Sequence, residues 1–223
     1  MTTNDLTATS SLVFVFPEGV HGVIFDCDGV MINSCDANIG YYNLLLKLMG
    51  KPPLTPEQAK YAQMATSYQA VAQVMTQEEL ARLPELTRQY PYRKVALPLL
   101  KEEPGFMELI QFLYSRHVRL AIHTNRGQGI WDVLDRLQVR AYFDVVMTVD
   151  QATPKPDPDG VFQILDKWKL KPGQVAFVGD SDTDCGAARG AGVPFIAYGN
   201  PGLAADWHAS SHHCLQQNFN LLL

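Results

Sequence analysis

The sequence predicts an α/β protein: a doubly wound parallel sheet into which a small all-helical unit is inserted. Three observations carry that prediction. Short apolar runs rich in β-branched and aromatic residues, as expected of strands buried on both faces, alternate with amphipathic helical stretches in the second half of the chain. Residues 36–90 hold few such runs and several helix-start signals. The strand-like runs also end in polar, reactive residues although their interiors are apolar. The expected division is a core over residues 1–34, carrying an acid pair, and 101–223, with a helical unit over residues 35–100 between its two parts.

Taken in order, residues 1–11 are rich in Thr, Ser and Asn and read as a frayed end. Leu12–Phe16 reads as a short edge strand closed by Pro17-Glu18-Gly19. His21–Phe25 reads as a buried strand that stops at Asp26-Cys27-Asp28-Gly29, where glycine lets the chain turn in a conformation closed to other residues. In the helix that follows, Ile39, Tyr42, Asn43 and Leu46 share a face, and Gly50-Lys51-Pro52-Pro53 ends it. Thr55-Pro56-Glu57-Gln58 and Thr76-Gln77-Glu78-Glu79 are capping-box starts. Phe106, Leu109, Ile110 and Leu113 form one apolar helical face, and Ile130, Val133, Leu134 and Leu137 another. Strands are expected at Val118–Ile122, Val145–Val149, Val175–Val178 and Phe195–Tyr198. A helix capped by Asp157 runs to about Trp168, a small-residue helix covers Ala187–Ala191, and a cap role is the reading for Asp182.

Composition narrows the partners. The 223 residues carry a net charge of −5 and no basic run, which disfavours nucleic acid and leaves small anionic molecules open. No apolar stretch is long enough for a membrane span, and the four cysteines show no CxxC spacing. The expectation is a cytoplasmic, soluble protein with reduced thiols. Cys27, turned away by strand alternation, reads as a small buried apolar residue. The C-terminal group His208, His212, His213 and Cys214 lacks metal-ligand spacing. Asp180, Asp182 and Asp184 alternate like a calcium loop, but Cys185 and Ala191 stand where that loop needs Gly and Glu.

Four strand ends therefore converge on one edge of the sheet, where open α/β folds bind ligands: Asp26/Asp28, Thr124/Asn125, Lys155 in the loop after the third, and Asp180/Asp184. A carboxylate there can attack phosphorus, and a second carboxyl two residues on can protonate the leaving oxygen and then deprotonate water. Thr124, Asn125 and Lys155 suit the oxygens of a phosphate. Asp26 and Asp180, with Asp184 beside them, suit Mg²⁺, which takes carboxylates, substrate phosphate and water.

From His21 to about Leu215 this arrangement resembles the haloacid dehalogenase superfamily, in its phosphatase branch with a helical cap, similar to phosphoglycolate phosphatase and β-phosphoglucomutase. Asp26-Cys27-Asp28-Gly29-Val30 resembles the first motif, Thr124 the second, Lys155 the third and Gly179-Asp180-Ser181-Asp182-Thr183-Asp184 the fourth. The resemblance implies a Rossmann-like core, with Asp26 as nucleophile and Asp28 as general acid and base. It implies phosphate held by Thr124 and Lys155, and Mg²⁺ held by Asp180 and by the main-chain carbonyl of Asp28. An acid at Asp28 favours phosphate esters, so a Mg²⁺-dependent phosphatase of a small phosphorylated metabolite is expected. A phosphomutase is the alternative, then a silent ligand-binding protein on the same fold. Asn33-Ser34 stands where members resembling phosphoglycolate phosphatase or β-phosphoglucomutase often have Asp-Ser.

Overall fold

The computed structural model describes Phe16 and residues 19–223. The strand expected over Leu12–Phe16, except for the buried Phe16, and the stretch before it lie outside the described residues. The strands are β1 (Gly22–Phe25), β2 (Ile32–Asn33), β3 (Lys101–Glu102), β4 (Arg119–His123), β5 (Val145–Met147), β6 (Val175–Gly179), β7 (Phe195–Tyr198) and β8 (Trp207–Ala209). Six of them form one parallel sheet in the order β5-β4-β1-β6-β7-β8. β1 lies at its centre with β4 on one side and β6 on the other, so the chain reverses its direction of travel across the sheet at β1. That is the switch point at which such sheets open a crevice beyond the strands' carboxyl ends.

Both faces of the sheet are covered, which explains why its strands read as continuous apolar runs. Val23 and Phe25 pack into one apolar cluster and Ile24, between them, into the other. Against the first face lie Phe106–Ser115 and Ile130–Leu137, with Phe106, Leu109, Ile110 and Leu113 buried as their spacing predicts. The second face is covered by Asp159–Trp168 and by Asp182–Gly190.

Between β2 and β3 the chain makes five helices: α1 (Cys35–Leu48), α2 (Pro56–Met64), α3 (Ser67–Ala72), α4 (Gln77–Gln89) and α5 (Tyr92–Val95). β2 and β3 pair antiparallel, Ile32 with Glu102 and Asn33 with Lys101, so the chain leaves and re-enters the core through one two-stranded neck. α2 and α4 begin with the capping boxes at Thr55 and Thr76, and α3 begins with a third at Thr66 and Gln69. After α1, Gly50 takes φ +73°, the left-handed value that closes a helix. The buried side of α1 carries Ala37, Tyr41, Tyr42, Leu45 and Leu46, rotated away from the expected Ile39 and Asn43.

Several boundaries differ from the sequence reading. The helix expected to be capped by Asp157 begins at Asp159 after Pro158, and the Asp157 carboxylate instead accepts the Asp159 N–H at 2.9 Å, as an Asx turn does. The small-residue helix starts at Asp182, well before Ala187. Its cap is Ser181, whose hydroxyl accepts the Asp184 N–H, and Asp182 is its first residue. β8 and the helix His212–Phe219 were not foreseen. Among the described residues no helix is long and apolar enough to cross a membrane.

The C-terminal histidine group divides by burial. His212 is fully buried, stacks on Tyr198 with ring centroids 4.4 Å apart, and leaves its Nε2 without a partner. Burial lowers its pKa to about 4, so the folded chain resists its protonation and stability is lost as pH falls below the unfolded value near 6.5. Relative to the parent, His212→Gln should remove roughly 2 kcal/mol of the stability change between pH 7 and pH 5. Denaturant titrations of the two proteins across that range measure the difference, because every other titrating group is shared.

Candidate active site

The carboxyl ends of β1, β4 and β6 and the loop after β5 border a cavity of about 720 Å³ under the inserted helices. Asp26, Asp28, Thr124, Asn125, Lys155 and Asp180 line it. Asp184 lies immediately behind, fully buried. Every residue expected at the site is therefore brought together, although Asp28 and Lys155 are separated by more than a hundred residues of sequence.

Lys155 forms the centre of the buried charge. Its Nζ donates to Asp26 Oδ1 at 2.7 Å and to Asp184 Oδ1, and its side chain is 3% exposed. Burial alone would lower the Lys155 ammonium, but Asp184 and Asp26 outweigh it and hold it well above the ordinary lysine range. The loop that carries Lys155 is pinned by Asn125. The Asn125 Oδ1 accepts the Lys155 N–H at 2.8 Å, and its Nδ2 donates to the carbonyls of Lys155 at 3.1 Å and Met64 at 3.2 Å. The side chain expected on phosphate is thus engaged with backbone, and it joins the core loop to α2.

Asp184 is similarly committed. Its Oδ2 accepts the main-chain N–H groups of Asp180 and Ser181 and the Ser181 hydroxyl, while its Oδ1 accepts Lys155. It fixes the turn that presents Asp180. Gly29 has φ +79°, and a Cβ there would lie 1.9 Å from Asp180 Oδ2, so the turn after Asp28 needs glycine for both backbone conformation and space. Thr124 is buried, donates its main-chain N–H to Met147, and accepts the Arg126 N–H on its hydroxyl oxygen at 3.1 Å. The hydroxyl hydrogen is left to donate to a ligand.

Oxygen atoms of Asp26, Asp180 and Asp184 all lie within 4.8 Å of one another. Burial, and after it the nearby Asp184 charge, raises the Asp26 carboxyl well above the usual carboxylate range. The same two causes lift Asp180 to about 7. Three carboxylates thus face one ammonium, and with all three ionised two negative charges stand uncompensated. One divalent cation with oxygen ligands fits that donor set and that charge.

Asp28 has its own counter-charge. Burial would raise its carboxyl, but the Arg126 guanidinium beside it and hydrogen bonds from Arg126, Ser34 and Asn38 hold it below the ordinary value. Arg126 flanks Thr124 in the sequence, where a surface or packing role is at least as good a reading as a functional one; the structure instead pairs it with Asp28. Cys27, between the acids, is buried, and burial pushes its thiol up. His123 is also buried, edge-on to Phe177 at 6.0 Å and close against Gly160. Among the aromatic and methionine residues of the inserted helices, Tyr41, Tyr42 and Met64 line the cavity, whereas Tyr68 is exposed and does not.

A sheet that switches direction at β1, with acid, hydroxyl and ammonium groups at its strand ends and helices inserted above them, is a Rossmann-like core with its ligand edge under a helical insertion. Residues 23–198 match the haloacid dehalogenase-like hydrolase family. The chain belongs to that family. It is 29% identical over 182 residues to a phosphorylated carbohydrates phosphatase of Thermotoga maritima, covering 79% of this chain and 84% of that one. To a phosphoglycolate phosphatase of Nitrosospira multiformis it is 27% identical over 196 residues, covering 82% and 86%. A crystal structure of a HAD-superfamily hydrolase, subfamily IA, variant 1, from Geobacter sulfurreducens superposes with a TM-score of 0.77 at 34% identity, covering 91% of this chain and all of that one.

Proposed function

We propose that the chain is a Mg²⁺-dependent phosphatase that hydrolyses a small phosphorylated metabolite through an aspartyl-phosphate on Asp26. The observation that carries this reading is the shared Lys155: one buried ammonium between Asp26 and Asp184, at the floor of a cavity that Asp28 and Thr124 also face. The names of the relatives from Thermotoga maritima and Nitrosospira multiformis, both phosphatases of phosphorylated small molecules, support it. In this reading residues 35–100 form a cap domain over a core made of residues 1–34 and 101–223. Four free cysteines suit a reducing, cytoplasmic setting.

The phosphoryl group would lie against the Thr124 hydroxyl and the Lys155 ammonium, which offset charge on its oxygens. An Asp26 oxygen attacks phosphorus while the bond to the leaving oxygen breaks. Asp28 gives that oxygen a proton and later takes one from the water that cleaves the acyl phosphate. Paired to Arg126, Asp28 is in its carboxylate form, the form needed for the second step. A phosphate dianion arriving beside it disfavours that charge and so favours the protonated form needed for the first. Asp26 and Asp180, with the Asp28 carbonyl and with Asp184 behind, would hold Mg²⁺, which supplies charge compensation to the carboxylates and the phosphoryl oxygens.

The test is phosphate release from a panel of sugar phosphates, phosphoglycolate and nucleotides, with Mg²⁺ and with EDTA. Release that falls at least about 100-fold in EDTA and returns on adding Mg²⁺ is expected. No release from any compound in Mg²⁺ overturns the reading, and a requirement for a bisphosphate activator replaces it with a phosphomutase.

A further inference from the structure

Arg126 grips Asp28 at two points, whereas the proposed reaction uses it only as a counter-charge. Its Nε donates to Asp28 Oδ2 and its Nη2 to Asp28 Oδ1, both at 2.6 Å. This two-point grip sets the plane of the carboxylate as well as its place, which a single-point ammonium would not do. Asp28 Oδ1 also accepts Asn38 Nδ2 at 3.2 Å and the Ser34 hydroxyl.

The guanidinium is itself held from above. Nη2 reaches Tyr92 Oη at 3.2 Å and Asn38 Oδ1 at 3.3 Å, and the group lies 5.4 Å from the centre of the Tyr92 ring. The Tyr92 hydroxyl donates to Asn38 Oδ1 at 2.6 Å. Asn38 stands near the start of α1 and Tyr92 opens α5, so the brace joins the outgoing and returning arms of the inserted helices to the acid in the core.

We propose that Arg126 is a positioning residue: braced by Asn38 and Tyr92, it orients the Asp28 carboxyl toward the oxygen of the leaving alcohol, and so matters most for esters whose leaving group needs a proton. The proposal rests on the reading of Asp28 as general acid. Small misplacement of a proton donor costs rate without loss of substrate binding. An ester whose alcohol leaves as a stable anion, 4-nitrophenyl phosphate, needs no such donor and reports the remainder of the site.

The experiment is rapid-quench measurement of alcohol release in the first turnover, which excludes the later hydrolysis step. It compares 4-nitrophenyl phosphate with the sugar phosphate turned over fastest in the panel above. For Arg126→Met the sugar phosphate should slow at least about 100-fold and 4-nitrophenyl phosphate less than about tenfold. Arg126→Lys keeps the charge, loses the two-point grip and should fall between parent and Arg126→Met. It also supplies a folded variant if Met is not tolerated. Equal slowing of both esters would mean a merely structural role, and a raised KM with an unchanged first-turnover rate would mean a substrate contact. Either result overturns the proposal. Asp28→Asn run alongside separates the two levels of inference. If it slows both esters equally, the acid role of Asp28 fails and takes the Arg126 proposal with it. If only Asp28→Asn discriminates between esters, Arg126 alone is wrongly assigned.

Discussion

Asp26→Asn is expected to reduce phosphate release by about 10⁴-fold or more without loss of stability. The amide has the shape of the carboxyl and its Oδ1 can still accept the Lys155 Nζ, which keeps its second partner, Asp184. What disappears is an anionic nucleophile, and an amide oxygen does not replace it. The stability half of the prediction comes from the same geometry. In the parent, burial and Asp184 oppose the charge on Asp26, so removing that charge relieves repulsion in metal-free protein. The variant should therefore melt at or above the parent temperature in EDTA while its turnover is lost. Thermal melts paired with phosphate release check both halves. Substantial residual turnover sinks the aspartyl-phosphate route, whereas a large fall in melting temperature would mean that Asp26 holds the fold together.

The parts of this site that were legible in the sequence are those whose position follows from strand termini. Buried parallel strands are apolar throughout, so Asp26, Thr124 and Asp180 stand out where each run stops, and topology alone brings those stops together. The helix starts at Thr55 and Thr76 were legible because a capping box is local. Contacts made across long sequence separations carried no such signal. Nothing in Thr124-Asn125-Arg126 shows that Arg126 meets an acid far upstream, or that Asn125 serves the backbone around Lys155 and not a ligand. Ser34 and Asn38 likewise carry no local sign that both hydrogen-bond Asp28. Trp207–Ala209 was missed because its three residues include a histidine and no β-branched residue, and it forms only because Tyr198 and its neighbours offer a strand edge. The cap expected at Asp182 fell one residue earlier, at Ser181, because two adjacent cap-forming residues leave the local pattern degenerate.

Lys155→Met should lower both activity and stability, and the two losses should respond differently to Mg²⁺. The substitution keeps length and apolar bulk but deletes the one ammonium between Asp26 and Asp184. Removing one partner of a buried ion pair typically costs about 3–5 kcal/mol, because the remaining charge is left without compensation. In EDTA that loss should appear in full in denaturant titrations. Mg²⁺ should return part of it, since a cation held by Asp26 and Asp180 offsets the same carboxylates from another side. Turnover should stay depressed about 10³-fold even in saturating Mg²⁺, because the phosphoryl oxygens still lack the ammonium that faces them in the transition state. Combining the change with Asp26→Asn removes one of the two orphaned carboxylates, so the double variant should be more stable in EDTA than Lys155→Met alone, with a coupling of about 2 kcal/mol. Were Lys155→Met as stable as the parent in EDTA, the ammonium would not be the counter-charge of this pair. Additive losses in the double variant would rule it out equally, because a shared counter-ion requires Asp26 and Lys155 to be coupled.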